Sequence, residues 1–210
     1  MRIVFSKAAD LPRILKCHRK AFPKALSSKL GDEFGVRMFS WYVNDPRGVM
    51  FHIENENEII GYCGGIVIKQ PGLPGAATSI TQYSFNTFVK SFLSRPWLIF
   101  HPELLKKYYF VIRNLSYKLG VKTRQPAPVI PGGFRTNWSL VVIGTIPEVQ
   151  GKGVGSFLLQ EFERLAKEDG VEQVKLSVKT SNEKAIRAYT RNGWTELSKD
   201  ETSIIMFKNL

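Results

Sequence analysis

Acidic residues, cysteine, histidine and long apolar runs are all scarce in this chain, and each scarcity removes a class of answer. Eighteen Asp and Glu stand against thirty Lys and Arg, a formal net charge of +12. The two cysteines, Cys17 and Cys63, lie far apart and in no metal-like spacing. That argues against a disulfide framework or a zinc site and fits a reducing compartment. Both are expected to be small core residues. His18, His52 and His101 are isolated in sequence and are read as structural; His101, near Glu103, has the strongest claim to chemistry. No stretch approaches the roughly 20 apolar residues of a membrane span. The opening Met1–Lys7 is too short an apolar run for a secretory signal. The expectation is a cytoplasmic protein without a metal, in which the Asn114 and Asn137 glycosylation triplets arise by chance.

What is present is 210 residues of ordinary hydrophobicity. That suits a single α/β domain over 1–210, able to bury roughly 70% of its unfolded surface without a covalent staple. The basic excess is uneven. Residues 71–135 hold nine Lys or Arg and one acid, Glu103, so this segment supplies +8 of the +12. Segment 71–136 is also rich in aromatics and is read as a helical insertion, a lid or substrate element.

The pattern along the chain alternates. Residues 2–5 read as a strand, and Asp10 with Pro12 as the start of a helix over 11–22 whose buried side carries Ile14, Leu15 and Ala21. Residues 33–44 place Phe34, Met38, Trp41 and Tyr42 at helical spacing, a core stripe. Strands 49–53 and 59–69 flank a polar loop, Glu54–Glu58. Gly61, Gly64 and Gly65 in the second strand suggest a bulge or a close backbone approach. Two helices are expected at 79–94 and 102–119, with Pro96 and Trp97 between them and a proline-rich return at 122–133. Then follow an apolar strand 139–146 ended by Pro147, an amphipathic helix from Gly153 to Asp169 stopped by Gly170, and a strand 174–179. The face of that helix carries Val154, Leu158, Phe162, Leu165 and Ala166. A helix 183–192 capped by Ser181 or Asn182 and two short strands, 194–197 and 202–208, close the chain.

The order strand, Pro147, Gln150-x-x-Gly153-x-Gly155, amphipathic helix carries the most information. A helix N-terminus presents unpaired N–H groups and partial positive charge, and glycines there clear the approach for a phosphate. Neither GxGxxG nor GxxxxGK[ST] is present; a tight turn that uses glycine is the plain alternative. Downstream, Asn182, Ala185 or Ile186, and Tyr189 share one helix face, with Gly193-Trp194 following. An N-cap asparagine and a half-buried tyrosine are the bland reading of that face.

Together these two segments resemble the acyl-CoA-binding motif, Gln/Arg-x-x-Gly-x-Gly/Ala, and the Asn…Ala…Tyr…Gly-Phe segment of the GNAT N-acetyltransferase superfamily. The resemblance covers about 1–70 and 137–210. It implies a mixed, mostly antiparallel twisted sheet flanked by helices, and an acetyltransferase that takes acetyl-CoA as co-substrate. It implies that amides of Gly151, Lys152, Gly153, Val154, Gly155 and Ser156, with Gln150, hold the pyrophosphate. Backbone of Ile143, Gly144 and Thr145, on a strand splayed from its neighbour, would meet the pantetheine arm, and Asn182 would line the groove. Tyr189 would sit at the sulfur as the catalytic residue. A phenol with pKa ~10 gives no full proton to a thiolate of pKa ~8.5, so a hydrogen bond is its expected role unless Arg187 or Arg191 lowers it. No carboxylate between 137 and 146 offers a general base, and Glu148 is expected in solvent.

The opening Ala21–Gly31 is loosely similar to GNAT-like chains from bacterial polysaccharide and sugar-modification pathways. With the basic insertion, whose Phe85, Phe88, Trp97, Tyr108 and Tyr109 suit stacking on a ring, it points to a small anionic acceptor amine: an amino sugar or nucleotide-linked sugar. Helices that merely pack on the core explain the insertion equally well, and a membrane-surface contact is a third reading. Protein or peptide N-acetylation, and a non-catalytic acyl-CoA-binding module, are the functional alternatives. No nucleic acid partner is expected; a homodimer is compatible.

Overall fold

The computed structural model describes residues 2–69, 74–106 and 136–210. Seven strands form one sheet: β1 (Arg2–Phe5), β2 (Gly48–Asn55), β3 (Glu58–Ile68), β4 (Asn137–Thr145), β5 (Gln173–Lys179), β6 (Thr195–Lys199) and β7 (Ser203–Asn209). Their spatial order is β1-β2-β3-β4-β5-β7-β6. Every neighbouring pair is antiparallel except β4 and β5. That parallel pair is joined through α7 (Val154–Glu168), the crossover that a parallel pairing requires.

The helices cover the sheet. Before β2 come α1 (Leu11–Ala21), the short α2 (Leu26–Lys29) and α3 (Asp32–Asn44); after β3 come α4 (Ala76–Tyr83), α5 (Phe85–Ser94) and α6 (Pro102–Lys106). The short α8 (Glu183–Arg191) follows β5. The apolar faces of α1 and α3 (Ile14, Leu15, Phe39, Trp41, Tyr42) and of α7 (Val154, Leu158, Phe162, Ala166) are buried in one core. Strand β3 is buried along almost its whole length; its near-continuous apolar run is what a strand covered on both faces needs.

Close approach of α7 to β3 depends on glycine. A Cβ added at Gly65 would lie 2.5 Å from the Phe162 ring and 2.9 Å from the Ser139 carbonyl. Gly65→Ala is therefore expected to destabilise the fold by about 1–3 kcal/mol, seen as a lower urea midpoint with an unchanged m-value. Across the sheet, Trp194 Nε1–H donates to Glu163 Oε1 at 2.8 Å, and Lys208 Nζ reaches Glu163 Oε2 at 2.7 Å. These bonds tie α7 to the C-terminal strands and satisfy a carboxylate that would be costly to bury unpaired.

Several local expectations change. The hairpin loop is two residues, not five: Glu56 and Asn57 have φ of 48° and 66°, the paired positive values of a type I′ turn. Glu54 and Asn55 therefore extend β2, and Glu54 pairs with Arg13 at 2.8 Å. Asp10 does not cap α1; its carboxylate accepts from the Lys7 N–H at 2.9 Å, one turn earlier. The expected helix over 79–94 is two helices meeting at Ser84. An unforeseen short helix, α2, follows α1. Of the expected helix 102–119, only 102–106 falls within the described residues, and the return loop 122–133 falls outside them.

The described part of the insertion packs on the core. Leu98 joins Leu30 and Phe34 in a second apolar cluster with Phe88 and Phe92 against it. Phe88 lies 5.9 Å from Phe34 and 4.7 Å from Phe92, so its ring is committed to packing rather than to a sugar or base. Trp97 remains 64% exposed. Tyr108 and Tyr109 lie outside the described residues. No helix among the described residues is long and apolar enough to cross a membrane.

Candidate active site

A register slip opens the site. Gly64 pairs with Val142 and Gly65 with Leu140, which leaves Val141 as the extra residue of a β-bulge on β4. Pairing of β4 with β5 stops at Leu140 against Leu176, although β4 continues to Thr145 and β5 to Lys179. A bulge bends and re-aims its strand, so beyond Val141 the two parallel strands diverge. Ile143, Gly144 and Thr145 sit at the diverging end, opposite no β5 partner.

The turn that follows β4 is shaped by two left-handed glycines, Gly151 (φ +80°) and Gly153 (φ +85°), a conformation costly for any side-chain-bearing residue. The first α7 bond runs from Phe157 N–H to Gly153 O at 2.9 Å. Among the described residues no backbone or side-chain acceptor pairs with the N–H of Gly151, Gly153, Val154, Gly155 or Ser156. Nothing lies within 4 Å of a Cβ built on Gly151, Gly153 or Gly155. Free donors, a helix N-terminus and open space together make an anion cradle.

Two expected members of that cradle differ from expectation. The Lys152 N–H is used inside the turn, donating to Val149 O at 3.2 Å. Val154 is 3% exposed and its side chain belongs to the core, so its contribution is limited to its amide. Gln150 braces the turn: its Nε2 donates to Thr145 O at 3.1 Å, and its Oε1 accepts from Lys184 Nζ.

The diverging end of β4, the start of α7 and the face of α8 enclose a cleft of about 510 Å³. Ile143, Gly144, Thr145, Gln150, Gly151, Gly153, Gly155, Ser156, Asn182 and Tyr189 all line it. Thus most of the residues singled out from two distant motifs meet at one opening. Asn182, not Ser181, caps α8, its side chain accepting from the Ala185 N–H at 3.3 Å. Asn192 Nδ2–H donates to Ser156 Oγ at 3.1 Å, which fixes α8 beside the α7 N-terminus. Lys184 and Arg191 bring cations to the lining, and among the described residues no carboxylate lines it.

Ala21, expected on the buried side of its helix, and Phe22, within the Ala21–Gly31 opening, close the cleft from the end of α1, a place the sequence does not announce. It also missed the company His18 keeps. His18 is 5% exposed; its Nδ1 meets Tyr62 Oη at 2.5 Å and its Nε2 meets Ser27 Oγ at 2.8 Å. Burial, with Arg19 as a lesser influence, pushes its pKa down to about 4. His18 is therefore neutral when folded and gains a proton on unfolding below its ordinary value of about 6.5. Its contribution is intact above pH ~6.5 and is lost as pH falls toward 4, up to about 3 kcal/mol. Urea midpoints are expected to fall across that window, and a His18→Gln variant to show a shallower fall. His52, bonded to Ser6 Oγ at 2.9 Å and also lowered by burial, supplies part of the slope that remains.

The other sequence candidates are placed as follows. His101 accepts from the Glu103 N–H at 3.3 Å and meets Lys24 O at 3.2 Å, outside the cleft lining. Glu148 is exposed. Cys17 and Cys63 are buried, and burial pushes their thiols up, that of Cys17 to about 12. Both are therefore core residues rather than nucleophiles. Arg187 pairs with Glu183 at 3.1 Å. The Tyr189 phenol is pushed up, not down, to about 12, chiefly by burial and secondarily by Cys63.

Residues 121–194, which carry β4, the glycine turn, α7, β5 and α8, match the model of the acetyltransferase (GNAT) family. That match spans 74 of the 210 residues. Solved acetyltransferase structures are similar to it in fold. The PaiA N-acetyltransferase of Thermoplasma acidophilum, in complex with coenzyme A, is 15% identical, with all of both chains covered and a TM-score of 0.56. The ribosomal-protein-S18-alanine N-acetyltransferase of Escherichia coli is 15% identical over 99% of this chain and 92% of that one, with a TM-score of 0.57. Naa20 of Chaetomium thermophilum, in complex with a bisubstrate analogue, is 16% identical over 100% and 87%, with a TM-score of 0.54. At these identities the likeness is one of fold. No curated protein matches the chain in sequence.

Proposed function

We propose that this chain is a GNAT-type N-acetyltransferase that moves the acetyl group of acetyl-CoA directly to the amine of a small anionic acceptor, an amino sugar or a nucleotide-linked amino sugar. The observation that carries the donor half is the row of unpaired amides at Gly151 and Gly153–Ser156, at the mouth of the β4–β5 gap. Those amides suit the pyrophosphate, Lys184 and Arg191 add positive charge, and the backbone of Ile143–Thr145 suits an extended arm running into the gap.

The chemistry follows from that placement. The amine nitrogen attacks the thioester carbonyl, the C–S bond breaks, and the electron pair leaves on sulfur. An amide N–H of the splayed strand supports the oxyanion. Tyr189 stays protonated, because full proton transfer from a phenol of pKa about 12 to a thiolate of ~8.5 would be uphill by about 5 kcal/mol. It serves as a hydrogen-bond donor to the thiolate, and the ammonium proton leaves through water. A weakly basic amine, with pKa nearer ~8 than the ~10 of lysine, needs no dedicated carboxylate.

The acceptor half rests on the insertion. Glu103 of α6 accepts from the Leu26 N–H at 3.0 Å and pairs with Lys179 Nζ at 2.9 Å. It therefore binds the insertion both to the start of α2 and to the end of β5, beside the open side of the gap. A chain segment with nine cations and one anion, attached there, favours an anionic acceptor. Two of the structural neighbours are named for acting at protein alanines or as Naa20, and the fold accommodates peptide acceptors too. Thiol release from acetyl-CoA, screened against amino sugars, sugar nucleotides, polyamines and peptides, separates these. Turnover confined to the anionic sugars is expected; turnover on peptides alone would overturn the acceptor assignment.

A further inference from the structure

We infer that the outer side of the insertion, built on Leu93, Trp97 and Phe100, is a docking surface for an anionic lipid bilayer. None of these residues lines the cleft, so the surface stands apart from the donor site.

The stretch from Phe85 to Leu105 is apolar on two sides. The inner side is spent on the fold: Leu98 is buried with Leu30 and Phe34, and Phe88 and Phe92 pack against that cluster. The outer side is bare. Val89 and Leu93 lie four residues apart on one face of α5. Trp97 and Phe100 lie three apart on a single turn of 3₁₀ helix, Pro96–Phe100, where such pairs eclipse. α5 and this turn lean on the same cluster, so their outer sides face away from it together. Leu93 is 80% exposed, Phe100 71% and Trp97 64%, and Val89, Ile99 and Leu105 are exposed as well. Single exposed apolar residues are ordinary on any surface. Six within seventeen residues make a patch of the kind that marks a protein or membrane contact.

Charge decides the partner. Between Glu58 and Glu148 the sequence holds one acid, Glu103, and its carboxylate is taken up by the Leu26 N–H and Lys179. Lys90 is neutralised by Glu33 at 2.6 Å. Arg95 lies between Leu93 and Trp97, and seven Lys or Arg with no acid follow from 106 to 135. Apolar side chains set among cations suit the boundary of an anionic bilayer, where rings enter the headgroup level and cations meet phosphate. Tryptophan is a characteristic residue of that boundary. A second copy of this chain fits less well, because pairing like patches brings two strongly basic segments together. The contact is peripheral, since no helix among the described residues is long and apolar enough to cross a membrane.

Trp97 supplies its own reporter. Trp41, Trp138 and Trp194 are all buried, so a blue shift of the emission on adding vesicles reads Trp97 leaving water. The full chain is titrated with vesicles of phosphatidylcholine and phosphatidylglycerol in equal parts, and with vesicles of phosphatidylcholine alone, with co-sedimentation in parallel. A blue shift and sedimentation are expected with the mixed vesicles, and binding about tenfold weaker to phosphatidylcholine alone. Binding to the mixed vesicles is expected to weaken in ~1 M salt, where the Debye length is ~3 Å. Trp97→Ser with Phe100→Ser is expected to weaken sedimentation with the mixed vesicles about tenfold or more at an unchanged melting temperature, and Leu93→Ser alone by a smaller factor. Absence of binding to the mixed vesicles overturns the inference, and so does equal binding to the two vesicle types. Equal binding by the wild type and a folded double variant overturns it too, since charge alone would then hold the vesicle. A dimer that the double variant abolishes, without vesicle binding, assigns the patch to a second copy and overturns it likewise.

Discussion

Gly155→Leu is expected to weaken CoA binding by about a hundredfold, or ~3 kcal/mol, while leaving thermal stability unchanged or slightly raised. Gly155 differs from its neighbours in that its φ is not positive, so a side chain there meets no backbone strain. A Cβ at this position has no atom within 4 Å, so it meets no steric conflict in the free protein either. Leucine is the better helix former by most of a kilocalorie, in the first turn of α7. What it fills is the space in front of the unpaired amides. The same change at Gly153, with φ at +85°, would confound binding with strain of about 1 kcal/mol or more. Calorimetric titration with CoA, set beside a melting curve, reads both quantities. A variant that melts lower and binds CoA normally would place the ligand elsewhere.

Tyr189→Phe is expected to lower turnover by about 10²-fold with CoA affinity altered no more than about threefold. The phenol does not brace the fold: its ring packs 6.1 Å from that of Trp194, a contact phenylalanine keeps. Its hydroxyl is protonated at any working pH, since burial holds its pKa near 12. A donor of that kind strengthens its bond only as negative charge appears on sulfur, so its loss falls on the rate and not on the ground state. The pH profile provides a second reading. A tyrosine held near 12 produces no loss of activity around pH 10, the ordinary phenol range. Equal turnover by mutant and wild type would remove Tyr189 from the chemistry.

The features legible in the sequence were those with a local physical cause. Glycines at 151 and 153 announce a turn because only glycine adopts positive φ without cost, and both do. The apolar face of α7 announces itself by spacing, and Val154, Leu158, Phe162 and Ala166 are all buried. Asn182 and Tyr189 share a helix face and line the same cleft as the turn. What escaped notice depends on contacts between distant segments. Phe22 reaches Gly144 across more than a hundred residues of chain, and no local pattern marks it. His18 reads as an ordinary helix residue until Tyr62 and Ser27 are brought to its two nitrogens.

The remaining differences arise where residue type is a weak guide. The type I′ turn at Glu56-Asn57 uses no glycine, so the usual hairpin signal is missing. The break at Ser84 has neither proline nor glycine, and the Ser84 N–H still bonds Ile80 O as it would in a continuous helix. The bulge at Val141 is invisible in composition, yet it ends the β4–β5 pairing and so creates the gap. Glycine-rich β3 hinted at irregularity, and the slip does occur between Gly64 and Gly65.

The most direct test of the donor site is the backbone amide spectrum of the protein titrated with CoA. Unpaired N–H groups that accept a pyrophosphate must shift. The largest changes are expected at Gly151, Gly153, Val154, Gly155 and Ser156, with smaller ones at Ile143 to Thr145. Lys152, whose N–H already bonds Val149 O, should move less than the glycines on either side of it. Saturable binding that leaves these amides unmoved, or no binding at all, would contradict the assignment of this turn to the CoA pyrophosphate.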